Sequence, residues 1–360
     1  MATDDGAAST STSYPHQLPL RSNPEIDAFD IVKAYHRLLD DDPDLTMPVA
    51  AIEALIEALG ASSAKTVFET MNLVETQSMR LRQSPTVSNP MAVRHGTDLF
   101  TQTLMKALKQ PPSGAAVNDD SEFEVIRKHL VSNGRLFAER AKEAREKIAL
   151  QGRFLLTENC TVLTHGGSRA VGIFLGRAAE AVANRHAPPF RVIYAMSENR
   201  REKSTKIVAD LRAKGIRVAT IPEGAVAHIM EKVSFVLVGA QAVTTQGGIL
   251  STLGTYQVAK LAKDFGKSGK PFYVAAEQHK IGRTFPTCQS KLSGTAEFKQ
   301  NILDFHKKVN DTETSDNASF RAVANPLDFT PPDLITSFIC DHGVKTTTGI
   351  HHEVIETYFN

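Results

Sequence analysis

The chain has 360 residues, of which 41% are hydrophobic and 22% are charged, and its formal net charge is +1. This composition is typical of a globular protein, and the near-neutral charge excludes a global field that would attract nucleic acid or an anionic membrane. No apolar run reaches the roughly 18–20 residues that cross a bilayer. Three widely spaced cysteines argue against a disulfide framework or a cysteine zinc site. We therefore expect a cytoplasmic protein with no metal, cofactor, membrane or direct nucleic-acid partner.

The first part of the chain predicts a tail followed by a helical domain. Residues 1–25 are polar and acidic, unlike a secretory or transit peptide, and we expect them to be disordered. Over residues 26–152, runs such as IVKAYHRLL and VAAIEALIEALG place apolar side chains three and four positions apart. This spacing puts them on one face of a helix, so the range is predicted to form a helical domain.

The pattern changes after Gly152, where short β-rich runs alternate with amphipathic segments. TVLTH, FRVIYAM, IRVATI, SFVLVGA and PFYVAAE are each followed or preceded by a helical pattern. Such alternation indicates an α/β class with a parallel sheet, so residues 153–360 are predicted to form a Rossmann-like domain. We expect a surface insertion over 291–319, a helix over 251–266 and a helix that starts at the double proline, Pro331-Pro332.

Three predicted loops follow strands at the edge where parallel sheets bind ligands. They span residues 164–169, 197–201 and 239–248 and contain glycine pairs, arginines or both. Glycine pairs before a helix let backbone N–H groups face an anion. Each loop also has a purely structural interpretation. A glycine pair can form only a tight turn, the arginines of 197–201 can mark a solvated helix start, and His165 can be a hydrogen-bonded structural residue. Their coincidence at successive carboxyl ends favours a small anionic ligand.

These segments resemble a known superfamily in their order and spacing. VLTHGGSR, FVLVGAQAVTTQGGILSTLGTYQVAKLAK and PFYVAAE are similar to segments of sugar-phosphate isomerases and of the alpha, beta and delta subunits of translation initiation factor 2B. The resemblance is strong over 153–360; before that it includes the stretch Arg94–Phe100. A short tail without a basic block, together with AEQHKIGRTFP, is similar to the alpha-subunit branch.

The resemblance implies a scaffold that has lost its chemistry. The isomerases place a cysteine where this chain has Gly166 and an aspartate where it has Gln241. Those two groups move hydrogen between sugar carbons, a task that needs titratable side chains. Cys160 precedes the strand and cannot readily substitute. The chain also has Ser251-Thr252 where the family commonly has Asn-Lys, which puts that phosphate contact in doubt.

The resemblance further implies a regulatory, non-catalytic subunit of the guanine nucleotide exchange complex for initiation factor 2. It would form a homodimer, assemble with the beta, gamma, delta and epsilon subunits, and contact the phosphorylated alpha subunit of factor 2. A sugar phosphate or nucleotide monophosphate would occupy the relic crevice. The candidate ligand-binding residues are Arg94, Gly96, Gly167, Ser168, Arg169, Glu198, Arg200, Gln246, Gly247 and Gly248.

Two hypotheses compete with this one. The chain could be an active isomerase with an unusual acid/base pair, for example His165 with Glu198. It could also be a free-standing sugar-phosphate or nucleotide sensor. For the dimer face, the apolar stretch SFICDHGV is the candidate, although the same stretch could be core.

Overall fold

A computed structural model describes most of the chain. The described residues are 29–64, 66–109, 136, 139–141, 143–184, 186, 189–197, 200–286, 288–289 and 326–358. The predicted tail, the predicted insertion over 291–319 and the candidate residue Glu198 lie outside them. In the described ranges, no helix is both long enough and apolar enough to cross a membrane.

Helices form the first part of the described chain, as the apolar periodicity predicts. They are α1 (Ile31–Asp41), α2 (Met47–Ala61), α3 (Val67–Gln83), α4 (Pro90–Lys109) and a helical segment over 143–152, here α5. Side chains cap their starts: Asp30 accepts from the Lys33 N–H, and Thr66 forms a capping box with Glu69. Ten of the fifteen residues of α2 are buried, so it is the central helix of this bundle.

The second part is a seven-stranded sheet in the order β10-β9-β7-β4-β1-β2-β3. Every pairing in it is parallel except that of β10 with β9, which confirms the predicted α/β class with a mostly parallel sheet. The strands are β1 (Thr161–His165), β2 (Arg191–Met196), β3 (Arg217–Pro222), β4 (Phe235–Gly239), β7 (Phe272–Ala275), β9 (Ser337–Cys340) and β10 (Gly343–Lys345).

Helices or shorter turns cover both faces of this sheet, because parallel strands are apolar on both sides. The helices are α6 (Arg169–Ala183), α7 (Arg201–Ala213), α8 (Val226–Ile229), α9 (Thr255–Lys263) and α10 (Thr347–Tyr358). One core cluster packs α6 and α7 against side chains such as Val192 and Leu237. The other packs α8, α9 and α10 against side chains such as Ile193 and Val238.

A small antiparallel sheet replaces part of a predicted helix. It consists of β5 (Ala242–Val243), β6 (Ile249–Thr252) and β8 (Leu327–Thr330), in the order β5-β6-β8. The prediction of a helix over 251–266 was therefore wrong at its start, because Ser251 and Thr252 pair with β8. Gly254 has a φ of +100°, and the helix begins only after it.

The predicted helix at the double proline is a single 3-10 turn, Pro332–Leu334. It ends because Thr336 already bonds to Phe272 and the next residues pair with β7. Those residues are β9, in which Phe338, Ile339 and Cys340 are fully buried. The structure thus favours the core alternative for the SFIC part of the stretch SFICDHGV, whereas His342 and Val344 are exposed, and a dimer face there stays a prediction.

Gly96 lies where α4 packs against α2. A side-chain carbon at this position would collide with the backbone carbonyl of Pro48. Glycine is therefore required for the two helices to approach closely.

We expect Gly96→Ala to destabilise the protein by about 1–3 kcal/mol, because the two helix backbones must move apart. Gly60→Ala is the matched control, since no atom lies within 4 Å of the added carbon, and it should stabilise by about 0.5–1 kcal/mol. Equilibrium denaturation measures both variants. Equal effects from the two substitutions would contradict the close packing.

Candidate functional site

The candidate site lies at the carboxyl ends of β4, β1 and β2, which are neighbours in the sheet. The loop after β1 turns through Gly166 and Gly167, whose φ angles are +86° and +65°. Ser168 then caps α6 by accepting from the Val171 N–H. Successive glycines in this backbone conformation, followed by a helix start, suit the binding of an anion by N–H groups.

Gly166 is the position at which the resemblance implies a cysteine in the isomerases. Its φ is one that side chains rarely adopt, and a side-chain carbon there would lie 3.1 Å from Thr252 Oγ1 and 3.2 Å from Thr252 Cβ. The Thr252 hydroxyl in turn donates to the Gly166 carbonyl oxygen at 3.4 Å. The local backbone is therefore built around a glycine, and a thiol at this point would be strained.

Gln241 follows β4 and is tied to the helical bundle. Its Oε1 accepts a hydrogen bond from Asn89 Nδ2 at 3.1 Å, and Asn89 also caps α4 by accepting from the Ala92 N–H. An amide at this position links the sheet edge to the start of α4. A glutamine amide does not titrate near neutral pH, so it cannot exchange a proton as a carboxylate would.

Cationic side chains gather beside the glycine loop. A side-chain carbon at Gly167 would contact Lys203 at 3.2 Å. Burial, together with the charges of Arg200, Arg169 and Lys206, lowers the pKa of Lys203. Burial also lowers the pKa of Arg200, whose Nε has no hydrogen-bond partner among the described residues. The structure therefore brings Gly167, Ser168, Arg169 and Arg200 together and adds Lys203.

Arg169 faces the helical bundle as well as this group of cations. Its Nη1 donates to the carbonyl oxygens of Pro43 at 2.6 Å and Leu45 at 3.1 Å. Burial is the main cause that lowers the pKa of Arg169, and Arg145 adds to the effect. This arginine therefore connects the glycine loop to the turn before α2.

Beyond Arg169 lies a buried ion cluster that the sequence did not indicate. Glu277, after β7, is 3.2 Å from Arg145 Nε and 2.6 Å from Lys280 Nζ. Burial alone would raise the pKa of Glu277, but Lys280, His279 and Arg145 outweigh it and hold the pKa well below its usual range. Arg145 Nη2 also donates to the Asp44 carbonyl oxygen at 2.6 Å, so the cluster joins α5, the sheet edge and the turn before α2.

His165 pairs with a residue that sequence reasoning missed. Its Nε2 lies 2.5 Å from Glu223 Oε1, and its Nδ1 lies 3.4 Å from Thr255 Oγ1. Glu198, the partner that the acid/base hypothesis named, lies outside the described residues, and the described partner of His165 is Glu223. The His165 side chain is completely buried, with 0% exposure.

Asp328 on β8 completes this part of the site. Its Oδ2 accepts from the backbone N–H groups of Gly254 at 2.8 Å and Tyr256 at 2.9 Å, at the start of α9. Burial raises the pKa of Asp328 to about 7 despite these two hydrogen bonds. The carboxyl group is therefore close to an even balance of its two protonation states at neutral pH. In the described ranges, no cluster of three or more His, Cys, Asp or Glu side chains is arranged to hold a metal.

The contacts of the other candidate residues in the described structure involve groups outside the glycine loop. Arg94 is 3.7 Å from Asp98 within α4, and Gly96 packs on α2. In the turn between β5 and β6, Gln246 is exposed, Gly247 approaches Thr347, and Gly248 approaches Phe329. Their assignment to a ligand site remains a prediction that these contacts do not support.

The sequence is similar to one protein family model and to curated proteins of two kinds. Residues 40–347 match the model of the "Initiation factor 2 subunit family". The chain is 29% identical over 331 residues to "Translation initiation factor eIF2B subunit alpha" of Dictyostelium discoideum, covering 91% of this chain and 96% of that protein. It is 32% identical over 159 residues to "Ribose 1,5-bisphosphate isomerase" of Archaeoglobus fulgidus, covering 44% of this chain and 48% of the isomerase.

A solved structure shares the fold. It is the tetrameric eIF2B-beta2-delta2 complex from C. thermophilum, which matches with a TM-score of 0.68 and 17% identity. The match covers 92% of this chain and 94% of that chain. At this identity the likeness shows the fold alone.

Asp328 generates a prediction about pH. Because burial raises its folded-state pKa to about 7, its contribution to stability is present below its unfolded pKa of about 4 and is lost as the pH rises through about 7. We expect Asp328→Asn, which stays neutral, to gain stability relative to the parent chain by on the order of 2 kcal/mol between pH 5 and pH 8.

Urea denaturation at the two pH values measures this difference. Asp333→Asn, at an exposed position, is the control and should follow the parent chain at both values. If the difference between Asp328→Asn and the parent chain does not change with pH, the buried titration of Asp328 is refuted.

Proposed function

This chain belongs to the initiation factor 2 subunit family, and from that membership we propose that it is a non-catalytic regulatory subunit of the guanine nucleotide exchange complex for translation initiation factor 2. The proposal is supported by near full-length similarity to a protein named as the alpha subunit of that complex. In this role the chain assembles with the beta, gamma, delta and epsilon subunits. The exchange chemistry belongs to another subunit.

The observation that carries the proposal is the state of two positions, Gly166 and Gln241. Hydrogen transfer between adjacent sugar carbons needs a proton donor and acceptor within reach of the substrate. Here one position is a glycine whose φ of +86° disfavours any side chain, and the other is an amide engaged with Asn89. Losing such a pair typically removes several kcal/mol of transition-state stabilisation. We therefore expect the scaffold to bind a sugar phosphate without isomerising it.

Regulation is proposed to work through assembly and charge. A homodimer of this chain bridges two halves of the complex and contacts the phosphorylated alpha subunit of factor 2. A phosphoserine carries about −1.5 to −2 charges at neutral pH and is recognised by arginine and lysine side chains. The phosphorylated partner then shifts the equilibrium between two arrangements of the complex. The size of the shift is set by how much more tightly the partner binds one arrangement than the other.

The crevice is proposed to keep a ligand of its own, a sugar phosphate or nucleotide monophosphate. Gly167 and the start of α6 offer backbone N–H groups, and Arg169, Arg200 and Lys203 offer positive charge. Arg200 is the best-supported contact to such a ligand, because its buried Nε lacks a hydrogen-bond partner among the described residues. An oxyanion beside it would satisfy that group.

A second candidate function is an isomerase with an unusual acid/base pair, favoured by the 2.5 Å contact between His165 and Glu223. Against it, the His165 side chain has no exposed surface, and a general base must come within about 3.2 Å of the proton that it removes. A contact between a buried histidine and a partly exposed glutamate is better suited to holding the ends of β1 and β3 together. The regulatory role is therefore the better supported of the two.

Affinity purification of the full, tagged chain from cells of its source tests the regulatory role. We expect four other subunit types to co-purify in stoichiometric amounts, and the isolated chain to sediment as a dimer at micromolar concentration. A chain that purifies alone would support a free-standing sensor instead. A monomer at that concentration would contradict the bridging role.

Calorimetric titration with ribose 5-phosphate and guanosine monophosphate tests the ligand site. We expect at least one of them to bind, and Arg200→Ala to weaken that binding about tenfold or more, because a charge-assisted hydrogen bond is lost. Lys260→Ala is the control, since Lys260 is exposed on α9 and pairs with Asp264. If Arg200→Ala and Lys260→Ala bind equally well, the proposed site is refuted.

A further inference from the structure

A groove of about 630 Å³ lies at the end of the sheet opposite the crevice. It is formed at the amino ends of β1, β2 and β3 and on the segment that leads into β4. Its floor includes Ile193 and Ala219, and its rim includes Arg191, Arg217 and Lys232. The volume is in the range of clefts that hold a ligand or a short segment of peptide.

The groove is open because the crossover between β3 and β4 is short. Residues 223–234 contain only the four-residue helix α8 and two 3-10 turns, whereas parallel strands usually carry a full helix on each face. Val226 and Met230 of this crossover pack in the same core cluster as Ile193. Val226 and Met230 do not cover the amino ends of β2 and β3 on this face of the sheet. Ala219, which pairs with Ile193 in register, is therefore exposed.

The rim carries positive charge that the described residues do not neutralise. Arg191 and Arg217 are paired in register on neighbouring strands, and like charges in that position repel each other. Among the described residues, none that lines the groove is acidic. Arg191 donates to the Asn159 carbonyl oxygen, while neither Arg217 nor Lys232 forms an ion pair within the described ranges. An anionic partner would remove this repulsion.

The outer edge of β3 is poorly suited to pairing with another strand. Arg212 Nη2 donates to the Val218 carbonyl oxygen at 3.0 Å, and Pro222 at the strand end has no N–H to offer. A partner would therefore be recognised by side chains within the groove and not by extension of the sheet.

We propose that this groove docks an acidic, extended segment of a partner protein. Carboxylates of the segment pair with Arg191, Arg217 and Lys232, and an apolar side chain packs against Ile193 and Ala219. The apolar floor favours a peptide over a small anion, because a small anion bound at the charged rim would leave the apolar floor exposed to water. The inference concerns a surface away from the crevice and stands whether or not the proposed function holds.

Fluorescence anisotropy with the full chain tests the proposal. The probe is a fluorescein-labelled eight-residue peptide of alternating Glu and Leu, and its counterpart has Gln in place of Glu. We expect saturable binding of the acidic peptide, weakened about tenfold or more in Arg217→Glu/Lys232→Glu, which reverses two exposed charges. Ala219→Phe should weaken it similarly by filling the floor while keeping every charge. Lys267→Glu, at an exposed turn elsewhere, is the control and should bind as the parent chain does.

Three results would overturn the proposal. The first is equal binding of the acidic and the Gln peptides, or none of either. The second is equal affinity in the double charge reversal and the Lys267→Glu control. The third is a change from dimer to monomer in the double variant by sedimentation, which would make a second copy of this chain the occupant. Matching thermal unfolding of all variants establishes that the fold is intact.

Discussion

The fold of this protein depends on one buried carboxylate, Glu277, held between Arg145 and Lys280. A charge cannot be buried alone, and breaking a buried ion pair typically costs about 3–5 kcal/mol. Since Arg145 comes from α5 and Glu277 from the end of β7, the cluster fixes the helical bundle over the carboxyl ends of the strands. The same placement brings Asn89 to Gln241 and the turn before α2 to Arg169.

Under the proposed function, this constraint would let the crevice persist without chemistry. The bundle closes over the sheet edge through interactions that do not involve a reacting group, so positions 166 and 241 are free to change. Gly166 has a backbone conformation that suits glycine, and Gln241 links the sheet edge to the start of α4. The crevice contains a glycine loop at a helix start with Arg200 and Lys203 beside it, an arrangement that suits an anion.

Local patterns revealed much of this architecture, and long-range pairing explains the rest. The five β-rich runs and the glycine loop were readable, because apolar alternation and turn residues act over a few positions. The β6–β8 pairing, the core position of SFIC and the partners Glu223 and Glu277 were not, since each depends on residues distant in sequence. Ser251 and Thr252 illustrate the point: a helical pattern was overridden by pairing with β8, some 75 positions further on.

The central claim is that this scaffold binds but does not catalyse. The most direct measurement is ³¹P NMR of the purified full chain incubated with ribose 1,5-bisphosphate and with methylthioribose 1-phosphate, beside a protein-free sample and the Archaeoglobus fulgidus isomerase. The account predicts no conversion above the protein-free sample with either sugar. Conversion of either sugar that disappears in His165→Ala would contradict it, because His165 and Glu223 would then be a working acid and base.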